Sequence, residues 1–123
     1  MGFFDKVFAR KPKQAPLAID EENFEREVMQ SSLPVLLDVW GPSCGPCKQL
    51  EPVIFDLASH YEGRVKVCEL SAQRAPRVAQ RLQIQATPTV LYFKAGAELE
   101  RIHGFRSSLF HKQTIHELFA IEP

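Results

Sequence analysis

At 123 residues the chain is long enough for one domain with a real core and too short for two. Its 15 Lys and Arg balance 15 Asp and Glu, so no net field draws it to nucleic acid and any binding selectivity is local. Three cysteines cannot make a disulfide scaffold, and no run approaches the roughly 20 apolar residues of a membrane-spanning helix.

In chain order, residues 1–15 read as an extension and residues 16–123 as the domain. Phe3, Phe4, Val7 and Phe8 fall on one face of a short helix ringed by Lys6, Arg10, Lys11 and Lys13, before Pro12 and Pro16 break the pattern. Such a segment suits weak contact through residues 1–13 with an anionic membrane surface or a partner's groove; the plainer reading is a flexible tail or one packed on its own domain. Gly2 is no myristoylation signal, because position 6 is Lys rather than Ser or Thr. Nothing near the start resembles an export signal, which points to a reducing, cytoplasmic setting.

Residues 17–19 predict a first short strand, and Asp20 caps a helix through Phe24, Val28 and Met29. The nearly continuous apolar run 34–40 predicts a strand buried on both faces, with Asp38 as its one charge. A helix then starts at Cys44 and Cys47 and carries Leu50, Val53, Ile54, Leu57 and Ala58 at helical spacing, with a kink expected at Pro52. Strands follow at 64–70 and 86–93, separated by a short helix at 75–82. Gly96 turns the second of them into a hairpin with 98–103. Gly104 leads to a last helix capped by Ser107 or Ser108, with Leu109, Phe110, Ile115, Leu118 and Phe119 as its apolar positions. Strands alternating with helices and ending in a hairpin describe an α/β fold, a central mixed β-sheet flanked by α-helices on both faces.

The chemistry concentrates in the run Trp40, Gly41, Pro42, Ser43, Cys44, Gly45, Pro46, Cys47, Lys48. Two cysteines two residues apart at a helix start can close and open as a disulfide. Backbone N–H groups at the helix N-terminus favour the thiolate of the first, which makes Cys44 the expected nucleophile and Cys47 the resolving thiol. The same spacing suits zinc, but zinc wants four ligands. Beyond the pair stand only Cys68 and the scattered His60, His103, His111 and His116, so no metal is expected. Cys68, on an apolar strand, reads as a small core residue, with a regulatory thiol as the lesser reading.

With these residues in view, the chain closely resembles the thioredoxin family over about residues 16–121. The resemblance rests on Asp38-Val39-Trp40, Cys44-Gly45-Pro46-Cys47-Lys48, Pro52, Thr87-Pro88-Thr89, Phe93-Lys94-Ala95-Gly96 and Gly104. It implies the thioredoxin fold and a dithiol–disulfide reductase acting on disulfide-containing proteins. It further implies no bound cofactor beyond the redox-active Cys44–Cys47 disulfide, with electrons supplied by an external reductase. Residue by residue, Pro88 is expected as a cis-proline facing the pair, leaving backbone polar groups free for an extended substrate segment. Trp40, Gly41, Pro42, Ser43, Gly45, Pro46, Thr87 and Gly104 are expected around the substrate, with Phe105 either beside them or in the core. Asp38 matches the family's buried carboxylate, which burial should push toward its neutral form so that it exchanges a proton with Cys47. A purely structural carboxylate is the plainer alternative.

Two positions depart from the family pattern. Glu69 stands where Lys is common, so that if it faces Asp38 the two carboxylates interact. Ser43 stands where a Trp commonly precedes the first cysteine, shrinking the apolar contact surface beside Cys44. The competing functions are an interaction module recruited by the N-terminal segment, and a disulfide oxidase or isomerase of the same fold. A glutaredoxin-like use of glutathione fits the landmarks less well.

Overall fold

The structure, a computed structural model, describes residues 14–123, so the amphipathic segment expected over residues 3–8 lies outside it. Five strands form one sheet in the order β1-β3-β2-β4-β5. These are β1 (Leu17–Ile19), β2 (Val35–Trp40), β3 (Lys66–Ser71), β4 (Thr89–Lys94) and β5 (Ala97–His103). β3 runs parallel to both β1 and β2, whereas β2 pairs antiparallel with β4 and β4 with β5. The sheet is therefore mixed, with β2 at its centre. Centrality explains the unbroken apolar run of β2: Val35, Leu37 and Val39 enter one core and Leu36 the other.

Helices cover both faces. Under one lie a π-helical segment (Glu25–Met29) and helix α2 (Pro76–Arg81), which bury Phe24, Val28, Ala75 and Val78 against Leu37, Val39, Leu70 and Leu91. Over the other lie α1 (Gly45–His60) and α3 (Ser108–Phe119), burying Leu50, Ile54, Leu57, Ile115 and Phe119 against Leu36, Val67, Val90 and Tyr92. Alternation along each strand feeds the two cores in turn.

Three local details differ from the pattern read in the sequence. The helix expected after Asp20 is a π turn, closed by Gln30 N–H donating to Glu25 O at 2.9 Å. The five-residue spacing brings Met29 back over the face that carries Phe24, and both pack on the core. Asp20 instead closes the turn that leads into the π segment, Oδ1 accepting from Glu22 and Asn23 N–H, and the segment itself has no side-chain cap. β4 begins at Thr89 rather than at residue 86, because Thr87 and Pro88 leave the sheet to approach the cysteines. Leu109, apolar by pattern, is 65% exposed, since helix α3 buries the face of His111, Ile115 and Phe119 instead. Helix α1 is assigned without interruption from Gly45 to His60, with Pro52 inside it. Ser107 is the cap of α3, its hydroxyl accepting from Phe110 N–H.

Candidate active site

Strand β2 ends at Trp40, and the next four residues turn the chain into helix α1 with Cys44 as its N-cap. Gly41 makes this turn possible at close quarters. A Cβ there would lie 3.1 Å from Thr87 Oγ1, so only glycine lets the loop pack against the Thr87–Pro88 segment without displacement. Ser43 adopts a positive φ of 52° immediately before Cys44. Cys44 and Cys47, with Cα atoms 5.2 Å apart, are joined as a disulfide. Cys44 is half-buried, while Cys47, one helical turn inward, is buried at 8% exposure.

The surroundings of the two sulfurs differ. Cys44 Sγ receives the N–H of Cys47 at 3.2 Å, one of the donors that a helix N-terminus leaves without an intrahelical acceptor. On its other side lies the carbonyl oxygen of Thr87, 3.5 Å away. Once the disulfide is reduced, the N–H favours thiolate at this sulfur. The Thr87–Pro88 peptide is cis, and Gly104 N–H donates to Pro88 O at 2.9 Å, so the start of β4 and the end of β5 meet beside Cys44. Gly104 has a φ of +81°, which lets the chain turn away at that point. Buried Thr89 locks the approach: its hydroxyl donates to Ala86 O at 2.7 Å.

Cys47 faces a different environment, a cleft of about 670 Å³ that it lines with Asp38, Trp40, Lys48, Glu51 and Glu69. Asp38 and Glu69 are register partners on parallel strands and so point to the same face. Asp38 is 5% exposed, and its Oδ1 has no hydrogen-bond partner among the described residues. Burial pushes its carboxyl up to about 7, with the negative charges of Glu69 and then Glu51 adding to the shift. Glu69 is held in turn: its Oε1 accepts the Trp40 indole N–H at 2.6 Å.

Of the residues expected around a substrate, Thr87 and Gly104 lie with Pro88 on the Cys44 side. Trp40, Gly41, Pro42 and Ser43 line the cleft, with Gly41 also packed against Thr87. Gly45 and Pro46 are exposed in the first turn of α1, and Phe105 is 39% exposed rather than core. Glu51 escaped the sequence reading. It stands four residues after Cys47 on the same helix face, a spacing that could have marked it. Cys68 is fully buried, and burial pushes its thiol up to about 12. Among the described residues, no group of three or more His, Cys, Asp or Glu is arranged to hold a metal, and no helix is long and apolar enough to cross a membrane.

A sheet that sets a helix-capping cysteine beside a cis-proline, with a buried partner thiol and carboxylic acid behind it, defines a protein dithiol–disulfide oxidoreductase. Comparison with known proteins agrees. The thioredoxin family profile matches residues 15–117. Thioredoxin 1 of Nostoc sp. is 37% identical over 90 residues, covering 73% of this chain and 84% of that protein. The thioredoxin of Synechocystis sp. is 37% identical over 86 residues, 70% of this chain and 80% of that protein. The chloroplastic M-type thioredoxin of Spinacia oleracea is 41% identical over 86 residues, covering 70% of this chain and 48% of its own. The chain belongs to the thioredoxin family.

Proposed function

We propose that the protein reduces disulfides in other proteins, with Cys44 attacking and Cys47 resolving. The observation that carries these roles is the asymmetry of the pair: Cys44 is the more exposed and receives a helix N-terminal N–H, whereas Cys47 is buried beside Asp38. In the reduced protein the Cys44 thiolate attacks one sulfur of a target disulfide, forming a mixed disulfide and releasing the other target sulfur as thiolate. Asp38 takes the proton of Cys47. The Cys47 thiolate then attacks Cys44 Sγ, closing the Cys44–Cys47 bond and releasing the second target thiolate.

An extended target segment fits beside Thr87, Pro88 and Gly104, where the backbone runs next to Cys44. The exposed Ser43 leaves this rim without a large ring, favouring targets that dock through backbone contacts. Two electrons and two protons return the pair to the dithiol; an external thioredoxin-reductase-like donor supplies them, with no cofactor resident in this chain. Residues 16–123 form the catalytic domain, and residues 1–15 an extension whose residues 1–13 suit weak contact with a partner or membrane surface. The cytoplasm is the setting in which such a reductant works.

Cys44→Ser is expected to abolish insulin-disulfide reduction, and Cys47→Ser to accumulate a mixed disulfide with the target on non-reducing gels. Unchanged reduction by Cys44→Ser would remove the nucleophile assignment. A redox titration of the pair against dithiothreitol buffers sets its direction: a strongly reducing potential supports the reductase, and an oxidising one supports an oxidase or isomerase.

A further inference from the structure

The cleft on the Cys47 side contains an arrangement that the exchange reaction itself does not require. Trp40 at the end of β2 is tied across to Glu69 of β3, and the same Glu69 is the register partner of Asp38. An indole N–H bound to a carboxylate at 2.6 Å is a short, charge-assisted hydrogen bond, and the half-buried setting of both groups shields it from water. Glu69 is thereby kept on the Asp38 face of the sheet rather than free to swing into solvent. Glu51, the third carboxylate of the cleft, is exposed to solvent, and no such bond fixes it among the described residues.

We propose that Glu69 is the positioning residue of the resolving step: it holds the Trp40 ring as a wall of the cleft and sets its charge beside Asp38, so that Asp38 takes the Cys47 proton near neutral pH. The inference rests on the reading of Asp38 as that proton acceptor. The step balances as a transfer from Cys47 Sγ–H to the Asp38 carboxylate, giving a neutral carboxyl and a thiolate that attacks Cys44 Sγ. A neighbouring negative charge favours the proton's arrival on Asp38, because the neutral acid relieves repulsion that the carboxylate suffers. The charged and titratable groups around Asp38 are Glu69 from β3, and Glu51, Lys48 and Cys47 from α1; Val90, its partner on β4, contributes none. Of these groups, Glu69 and Glu51 carry the negative charges that add to burial in raising the Asp38 carboxyl.

The chain contains a single tryptophan, so intrinsic emission reports the Trp40 environment alone. Resolution rates of a preformed mixed disulfide, measured against pH in the full chain, give the proton step. Glu69→Gln keeps an oxygen acceptor for the indole and removes the charge. It is expected to move the acid limb of the rate profile down by about one pH unit and to leave the emission unchanged. Glu69→Leu removes both, and is expected to move the limb and to shift the Trp40 emission as well. Asp38→Asn is expected to erase the limb. An unmoved limb in Glu69→Gln, with the limb erased in Asp38→Asn, overturns the role of Glu69 and leaves Asp38 standing. An unmoved limb in Asp38→Asn removes the Asp38 reading and this inference with it. Unaltered emission in Glu69→Leu overturns the ring-holding role.

Discussion

Two buried ionisable groups sit on the same face of the sheet and meet opposite fates. Asp38 and His111 are 5% and 0% exposed, and each has one polar atom without a partner among the described residues, Asp38 Oδ1 and His111 Nε2. Burial drives each toward its neutral form. Asp38 rises to about 7, helped by Glu69 and Glu51; His111 falls to about 4, helped by the charge of Arg106. Desolvation therefore does not separate a chemical group from a structural one. Their neighbours do: Asp38 opens on a cleft that Cys47 also lines, whereas His111 shares a hydrogen bond through Nδ1 with Tyr92 and packs edge-on against Phe110.

The largest effect that would break this comparison is kinetic. Asp38→Asn is expected to slow mixed-disulfide resolution near neutral pH by on the order of 10²-fold, the scale of a lost general base. His111→Gln is expected to leave the rate and its pH profile in place. Stopped-flow measurement on both variants is the check, and a displaced acid limb in the histidine variant would show that the two groups communicate.

Stability against pH sharpens the same contrast, because the two titrations have opposite signs. The folded Asp38 binds its proton more tightly than an unfolded Asp near 3.8, so its contribution is fully present below that value and is lost as pH rises through about 7. The loss is on the order of 4 kcal/mol. His111 binds its proton less tightly when folded than its ordinary 6.5. Its contribution is present above 6.5 and fades as pH falls toward 4, by on the order of 3 kcal/mol. Across roughly pH 4 to 6.5 the two slopes nearly cancel. Denaturant unfolding of Asp38→Asn should therefore show stability rising with pH through this window, and His111→Gln should show it falling. Parallel curves for the two variants would refute the assignment of opposite signs.

What the sequence made legible follows the range of the interactions involved. The central strand was visible because β2 is covered on both faces, which forces Val35, Leu36, Leu37 and Val39 to be apolar together. The cysteine pair at a helix start was visible because its spacing, its proline and the following periodicity are all local. The tie between Trp40 and Glu69 was not, since it spans 29 positions and depends on the register of β2 against β3. The possibility that Glu69 faces Asp38 could be posed from a family pattern, but only the strand register places them side by side. The Tyr92–His111 contact was hidden for the same reason, and His111 reads in sequence as one polar residue on a helix whose apolar neighbour Leu109 looks the better core candidate. The start of β4 was misread because Thr87 and Thr89 look equally strand-like; the bend between them serves the cysteines, not the sheet.

The smallest expected effect tests whether the sealed region is independent of the open one. Tyr92→Phe keeps the ring and removes the hydroxyl, leaving His111 Nδ1 buried without its partner. An unsatisfied buried polar atom costs about 1–3 kcal/mol, so the denaturation midpoint should fall while the slope of the transition is unchanged. The exchange rate should not move. Tyr92 and Asp38 lie on adjacent antiparallel strands, where Val90 faces Asp38 and Tyr92 faces Leu36, close enough for packing strain to pass between them. The double variant Asp38→Asn/Tyr92→Phe therefore carries the sharper information. A coupling energy below about 0.5 kcal/mol means that each group answers only to its own surroundings. A larger value means that Asp38 and the sealed pair share one packing arrangement, and that the contrast between them is a property of the whole face.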